Sequence, residues 1–242
     1  IRSKGDICLN VASSGIASLL EGGRTAHSRF VIPLTPHETS TCNIERGTNL
    51  VELVTATKLI IWDEAPMMSK YCFESLDKSL KDILSTPEDK PFGGKVILFR
   101  GDFRQILPVI PATGRELIVK SSLNSSYLWQ PCKVLKLTKN MRLLQDIDIN
   151  EAREIEEFLK WILAVGEGKL NEANDGVTQI QIPDDILISE GDNPIESIIQ
   201  AVYGTTFAQE RDPTFFQDRA ILCPTNDDVN SINDHMLSKL TV

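Results

Sequence analysis

Two adjacent carboxylates, Asp63 and Glu64, follow directly after an apolar run at residues 59–62. Such a run indicates a strand that is buried on both faces, as in a parallel sheet covered by helices. Open α/β sheets bind ligands at the carboxyl ends of their strands, and the two acids stand at such an end. One carboxylate can hold Mg²⁺ while its neighbour orients a water for attack on a phosphate. A solvated strand end is the alternative interpretation of this pair taken alone.

A second polar group follows another apolar run, at residues 96–99. It begins with Arg100 and contains an acid, Asp102, and an amide, Gln105. Because the carboxyl ends of parallel strands meet at one edge of a sheet, these residues should lie near the first pair. Two strands that deliver polar groups to the same edge predict a site there.

A third polar stretch, at residues 24–30, combines cations and hydroxyls with one aromatic residue. This composition suits contacts to phosphates beside a partner that stacks on a base. A solvated turn is the alternative, and composition alone favours it.

Hydrophobic periodicity predicts strands and helices that alternate along the chain. Strands are predicted at residues 7–11, 58–62, 96–99, 134–137, 178–182 and 219–223. Helices are predicted at residues 16–20, 50–54, 73–84, 150–170, 195–203 and 229–237. This alternation is typical of an α/β fold, with a parallel sheet and flanking helices.

Length and composition are those of an ordinary soluble globular protein. The 242 residues, 41% hydrophobic and 24% charged, fit one large α/β domain or one domain with part of a second. The net charge of −9 argues mildly against a dedicated nucleic-acid binder, although an acidic enzyme can carry basic patches. Five scattered cysteines without paired spacing are typical of buried thiols in a reducing compartment. No apolar run is long enough to span a bilayer, and there is no signal-peptide pattern.

Three stretches together carry a specific resemblance: residues 63–66 (DEAP), 91–94 (PFGG) and 101–109 (GDFRQILPV). They resemble the petite-integration-frequency (PIF) family of superfamily-one DNA helicases, in particular its plant and mobile-element branch. Further stretches match that family's motifs in the expected order. These are residues 11–17 and 23–28 for the segment that touches the DNA strand, 137–142 for the arginine-bearing motif, and 224–233 for the opening of the second RecA-like domain.

The resemblance implies roles for individual residues at an ATP site. Asp63 matches the carboxylate that holds Mg²⁺, and Glu64 matches the base that positions the attacking water. Gln105 matches the sensor of the γ-phosphate, since an amide can donate to a phosphate oxygen and accept from the water. Arg142 matches the arginine finger, whose planar fork offsets charge on the transferred phosphate. Mg²⁺ is then the cofactor, and ATP the substrate.

The resemblance also implies a path for nucleic acid. Thr25, His27 and Ser28 match residues that contact the backbone of a single strand, and Asn226 is placed on the same path. The implied function is ATP-dependent 5′→3′ unwinding of DNA, with single-stranded DNA and DNA forks as partners. Family resemblance places such a protein in the nucleus, intracellular and without a membrane partner. The oligomeric state does not follow from the sequence.

The implied fold is a RecA-like P-loop NTPase sheet with flanking helices, plus the start of a second RecA-like domain. Residues 1–143 are expected to form part of the first ATPase domain, 144–218 a helical connector, and 219–242 the start of the second domain.

The sequence also departs from the family pattern. It contains no Gly-Lys-Ser/Thr phosphate loop and no initiator Met, so we interpret it as a fragment that is inactive alone. The alternative is a non-catalytic remnant of a mobile-element helicase that at most binds nucleic acid or a partner. Arg100 stands where the family usually has Gly, beside the phosphate site.

Overall fold

Four parallel strands form the sheet around which the described part of the chain is built. The computed structural model describes residues 2–15, 22–141, 149–170, 180–188, 191, 193–205, 207–210 and 212–240. The strands are β1 (Ile7–Ala12), β2 (Arg24–Thr25), β3 (Thr57–Asp63) and β4 (Val96–Phe99). They lie in the order β2-β1-β3-β4, and every neighbouring pair is parallel. The predicted parallel α/β sheet is confirmed.

The helices fall into two compact units, each described here by itself: Ile1–Glu172 and Ala173–Val242. The first unit contains α1 (Ala26–Phe30), α2 (Asn49–Ala56), α3 (Lys70–Leu84), α4 (Arg115–Ser121) and α5 (Ile149–Gly166). The second contains α6 (Pro194–Tyr203), α7 (Pro213–Gln217) and α8 (Asn226–Lys239). Helices predicted at 50–54, 73–84, 150–170, 195–203 and 229–237 are confirmed by α2, α3, α5, α6 and α8.

The core of the first unit lies on one face of the sheet. Trp62 is fully buried at the centre of this face, with its ring centroid 4.6 Å from that of Phe73 on α3. Phe73 in turn meets Phe99 of β4 edge-to-face at 5.3 Å. Because alternate residues of a strand point to one face, Ile60 and Trp62 share this core, which the apolar stripe of α3 covers.

The opposite face of β4 is much more open. Val96 and Leu98 alternate with the core residues of that strand, and they are 62% and 43% exposed. The strand was predicted to be buried, and only one face of it is.

Helix α3 also carries buried charges, which fasten the following segments to it. The fully buried Asp77 accepts hydrogen bonds from the Phe92 backbone N–H, from Tyr127 Oη at 2.7 Å and from Lys81 Nζ at 2.9 Å. One turn earlier, Glu74 Oε1 accepts from the Ser126 hydroxyl at 2.7 Å. Buried charges are tolerated when they are paired and hydrogen-bonded in this way.

Three sequence predictions of local structure were wrong. The run 134–137 forms no strand: Leu135 and Leu137 are 76% and 103% exposed, and none of the described strands pairs with this run. Residues 219–223 also form no strand, and Leu222 is 93% exposed. Residues 24–30 are not a solvated turn but β2 and α1, because Ala26 and Phe30 are fully buried in the core.

Two further predictions fall partly or wholly on residues that are not described. The helix at 16–20 lies outside the described residues. Of the strand at 178–182, only 180–182 are described, and they form no strand.

The second unit has an ionic cluster and a ring cluster of its own. Glu196 on α6 accepts from His235 Nε2 at 2.7 Å and from Lys239 Nζ, both on α8. These partners, Lys239 first, lower the pKa of Glu196 to about 2. Tyr203 packs against Phe207, Phe215 and Phe216. Among the described residues, no helix of either unit is long and apolar enough to cross a membrane.

Candidate functional site

The carboxyl ends of the strands form a row across one edge of the sheet. Thr25 pairs in register with Ala12, and Ala12 pairs with Asp63. Trp62 pairs with Phe99, so the next position along β4 brings Arg100 beside Asp63. Since neighbouring strands lie about 4.8 Å apart, Thr25 and Asp63 are separated by roughly 10 Å. The predicted convergence of polar groups on one edge is therefore observed for these residues.

Backbone hydrogen bonds continue past the ends of the strands and fix this edge. The Ser13 N–H donates to the Asp63 carbonyl at 3.0 Å, and the Arg100 N–H donates to the Trp62 carbonyl at 2.8 Å. The Ala65 N–H donates to the Arg100 carbonyl at 2.9 Å. In addition, the Trp62 indole N–H donates to Ser13 Oγ at 3.1 Å. Three loops are thus tied together where they leave the sheet.

The two adjacent acids are held in different ways. Asp63 Oδ1 accepts the Glu64 backbone N–H at 3.2 Å, and Asp63 Oδ2 lies 3.5 Å from the Arg100 guanidinium. The Asp63 side chain is only 17% exposed. Glu64 is half-buried and has a left-handed backbone with φ 52°. Non-glycine residues rarely take this conformation, and it is concentrated at functional sites.

Gly101 is required where the loops after β3 and β4 touch. Its φ is 147°, and a Cβ at this position would lie 2.3 Å from Pro66 Cδ. No other residue type fits such a close approach without strain. The DEAP and GDFRQ stretches are therefore in direct contact through Pro66 and Gly101.

The turn after Gly101 is built on Asp102. Its carboxylate accepts from the Arg104 backbone N–H at 3.0 Å and from Arg104 Nε at 2.9 Å, which lowers the pKa of Asp102. Arg104 also reaches Glu167, at 3.2 Å. The Gln105 N–H donates to the Asp102 carbonyl at 3.1 Å, and Gln105 itself is exposed. The structure thus places Gln105 in an exposed turn, five residues beyond Arg100.

The cation-rich segment, residues 24–30, forms β2 and α1. Thr25 is the N-cap, and its hydroxyl accepts the Ser28 N–H at 3.3 Å, while Ser28 is exposed. Burial lowers the pKa of His27, which favours the neutral imidazole. Burial and then the charge of Arg24 lower the pKa of Arg29, whose buried Nε finds no acceptor among the described residues. The charge of Arg24 therefore disfavours the charge of Arg29.

The donor set at Asp63 fits a divalent cation that arrives with a nucleotide. Among the described residues there is no group of three or more His, Cys, Asp or Glu that could hold a metal alone. Mg²⁺ is usually bound by only one or two carboxylates, together with waters and substrate phosphates. A single hard oxygen ligand at Asp63, with Glu64 beside it, is consistent with that mode.

Two predicted site residues, Arg142 and Asn226, are not placed at this edge of the sheet by the described structure. Arg142 lies outside the described residues. Asn226 begins α8 in the second unit, after the N-cap Thr225, and is exposed. Sequence reasoning missed the Arg100–Asp63 pair, although Asp63 ends β3 and Arg100 directly follows β4. It also missed the position of Ser13 beside Asp63.

Comparison with family models and known proteins identifies DNA helicases as relatives of this chain. The sequence matches the model of the PIF1-like helicase family over residues 1–176. It is 26% identical over 247 aligned positions to the ATP-dependent DNA helicase Pif1 of Campylobacter jejuni, covering 99% of this chain and 46% of that protein. It is 30% identical over 135 positions to the ATP-dependent DNA helicase RRM3 of Saccharomyces cerevisiae, covering 54% of this chain and 18% of that protein. The chain spans less than half the length of these relatives.

Solved structures show the same fold. The chain superposes on Bacteroides Pif1 bound to ssDNA with a TM-score of 0.56 at 25% identity, covering 71% of this chain and 39% of the other. A Bacteroides Pif1 complex with ADP-AlF3 and ssDNA gives a TM-score of 0.62 at 20% identity, covering 97% and 48%. The α/β sheet described above is that of the RecA-like helicases.

Proposed function

The chain belongs to the PIF1-like helicase family, and on that premise we propose that it is part of an ATP-dependent DNA helicase. The observation that carries the proposal is the row of strand ends, in which Asp63 and Glu64 stand beside the Ser13 and Arg100 loops. This row is the position at which open α/β sheets bind nucleotides. The relatives named above are ATP-dependent DNA helicases, which agrees with this chemistry.

At the nucleotide, we assign distinct roles to two neighbouring carboxylates. Asp63 would hold Mg²⁺, which when bound neutralises charge on the phosphates. Glu64 would accept a proton from, or orient, the attacking water. Its left-handed backbone turns the chain just after Asp63. Gln105 is proposed as the sensor of the γ-phosphate, and Arg142 as the arginine finger.

The DNA strand is proposed to follow the edge formed by Thr25 and α1. A neutral His27 can donate or accept a hydrogen bond but adds no charge, so Arg24 and Arg29 would supply the attraction to phosphates. A phosphate near Arg24 and Arg29 would offset their like charges. Thr25 and Ser28 would add neutral contacts to the backbone, and Asn226 is proposed on the same path.

The test uses the complete natural protein that contains this chain. We expect ATP hydrolysis stimulated by single-stranded DNA, and unwinding of a fork with a 5′ tail but not of one with only a 3′ tail. Arg24→Gln/Arg29→Gln should weaken binding of single-stranded DNA and flatten its dependence on salt. Arg46→Gln/Arg153→Gln, which removes two exposed arginines paired with Asp82 and Glu157, is the charge-matched control.

The outcomes separate the two interpretations of the sequence. Binding of DNA without hydrolysis of ATP would contradict the helicase proposal and favour the non-catalytic remnant. Hydrolysis of ATP together with unwinding from a 3′ tail would contradict only the proposed 5′→3′ direction of movement. The domain limits at 143 and 218, and a nuclear location, stay predictions.

A further inference from the structure

Arg100 and Asp63 form an ion pair at the position proposed for the metal. The Arg100 guanidinium lies 3.5 Å from Asp63 Oδ2, and the two side chains are 57% and 17% exposed. The pairing follows from the sheet itself, because the Arg100 N–H and carbonyl bond to the backbones of Trp62 and Ala65. Adjacent register positions on parallel strands place their side chains on the same face. The contact is therefore built into the fold.

We propose that Arg100 is a resident counter-ion of Asp63, which a divalent cation has to displace. Arg100 would then raise the metal concentration at which the site fills. The inference rests on the proposed role of Asp63 as the metal ligand.

The geometry favours displacement over a permanent pair. Charge-assisted hydrogen bonds between guanidinium and carboxylate are usually about 2.7–2.9 Å long, so a separation of 3.5 Å indicates a weak contact. Asp63 Oδ1 already accepts the Glu64 N–H, so Oδ2 is the oxygen for which Arg100 and a metal would compete. The Arg100 side chain is more than half exposed and can move into solvent when a cation of higher charge arrives.

The competition has a further electrostatic basis. Without a cation nearby, Asp63 and Glu64 repel each other as adjacent negative charges. Arg100 supplies one positive charge to this pair, and a divalent ion would supply two. Replacing Arg100 by a neutral residue removes the competitor, so the site should attract the metal more strongly.

The experiment measures binding of Mn²⁺, as a probe for Mg²⁺, from the electron paramagnetic resonance signal of the free ion. The complete natural protein is titrated with Mn²⁺ in the presence of ADP, as wild type, Arg100→Gln and Arg100→Lys. We expect Arg100→Gln to lower the half-saturating Mn²⁺ concentration by roughly two- to fivefold, because a partly exposed ion pair is weak. Arg100→Lys keeps the charge and should stay closer to wild type than the Gln variant.

Two controls make the result specific. Arg46→Gln removes another exposed arginine, from a pair with Asp82 on α3, and it should leave Mn²⁺ binding unchanged. In a double-mutant cycle with Asp63→Asn, the effect of Arg100→Gln should disappear. Weaker or unchanged Mn²⁺ binding in Arg100→Gln would overturn the inference, and so would an effect that persists without Asp63.

The same titration keeps this inference separate from the proposed function. If Asp63→Asn binds Mn²⁺ as well as wild type does, Asp63 is not the metal ligand and the proposed function is wrong at that residue. If Asp63→Asn loses the metal but Arg100→Gln does not gain it, only the role of Arg100 is wrong.

Discussion

Two segments leave the sheet side by side, and the structure holds them very differently. The β3 segment, residues 63–84, passes through the buried Ala65 and Pro66 directly into α3, whose Phe73 lies in the core. The β4 segment, residues 100–109, contains Phe103, Ile106 and Val109 at exposures of 37%, 63% and 83%. Both segments carry proposed site residues. Only the first continues into a helix that is packed in the core.

The difference separates a rigid part of the site from a responsive part. Asp63 and Glu64 stand on a strand end with a packed helix behind them, so their positions are set before any ligand arrives. Gln105 stands on a turn held mainly by Asp102 and Arg104. A sensor of the γ-phosphate has to change its contacts when the phosphate leaves, and a weakly held turn suits that task. The four predictions below test this contrast.

The largest expected effect is on catalysis and concerns the anchored segment. Glu64→Gln in the complete natural protein should slow DNA-stimulated ATP hydrolysis by about 10²- to 10⁴-fold, the usual contribution of a positioned general base. Nucleotide affinity should change little, since the amide keeps the shape of the side chain. Steady-state hydrolysis and equilibrium binding of a fluorescent ADP check both parts.

The exposed Glu116→Gln on α4 is the matched control for that variant. It removes a carboxylate whose partner is Lys120 in the same helix, and it should hydrolyse ATP like wild type. Near-normal turnover by Glu64→Gln would show that the anchored acid is not the base.

The second prediction concerns the buried charge that stabilises the β3 segment. Asp77→Ala leaves Lys81, the Tyr127 hydroxyl and the Phe92 N–H without their shared partner. Breaking a buried pair in this way should cost about 3–5 kcal/mol of the free energy of unfolding. Urea unfolding of this chain measures it. A loss below about 1 kcal/mol would show that the β3 segment is not anchored through Asp77.

The third prediction probes the contact between the two segments. Gly101→Ala would place a Cβ 2.3 Å from Pro66 Cδ at a φ of 147°, so either the turn or Pro66 must shift. We expect a loss of about 1–3 kcal/mol, the usual cost of such backbone strain. The midpoint of urea unfolding reports it.

Gly166→Ala provides a control in the same neighbourhood. Its Cβ would meet only Arg104 Cβ, at an ordinary 4.0 Å, and Ala is the better helix former at the end of α5. This variant should be neutral or slightly more stable. Equal losses from both substitutions would mean that the close approach at Pro66 is not what requires Gly101.

The contrast also explains which features could be predicted from sequence. The runs 58–62 and 96–99 were recognised as strands because they are short, apolar and followed by polar residues, and the convergence of their ends then followed from parallel pairing. The stripe of α3 was equally clear because its apolar residues recur at helical spacing. Each of these signals is local, or depends on one general rule of sheet topology.

The wrong predictions concern segments whose structure depends on residues far away in the sequence, which a local sequence pattern does not reveal. Residues 134–137 have the composition of a buried strand, but Leu137 lies in solvent and the four described strands leave this run unpaired. Residues 24–30 have the composition of a turn, yet Phe30 is fully buried because β2 joins the sheet beside β1. The Arg100–Asp63 pair needed the register of β3 on β4, which only the structure supplies.

The smallest expected effect belongs to the exposed segment, and it completes the comparison. Arg104 lies between Asp102 and Glu167 on the surface, where solvent and salt screen ion pairs. Arg104→Ala should therefore leave the urea midpoint at neutral pH within error of wild type, in contrast to Asp77→Ala. Arg104 lowers the pKa of Asp102, so any contribution is present above the ordinary Asp pKa of about 3.9 and is lost as the pH falls through the lowered value. The difference between Arg104→Ala and wild type should thus shrink further in acid. A clear loss of stability at neutral pH, insensitive to added salt, would show that the β4 segment is anchored after all.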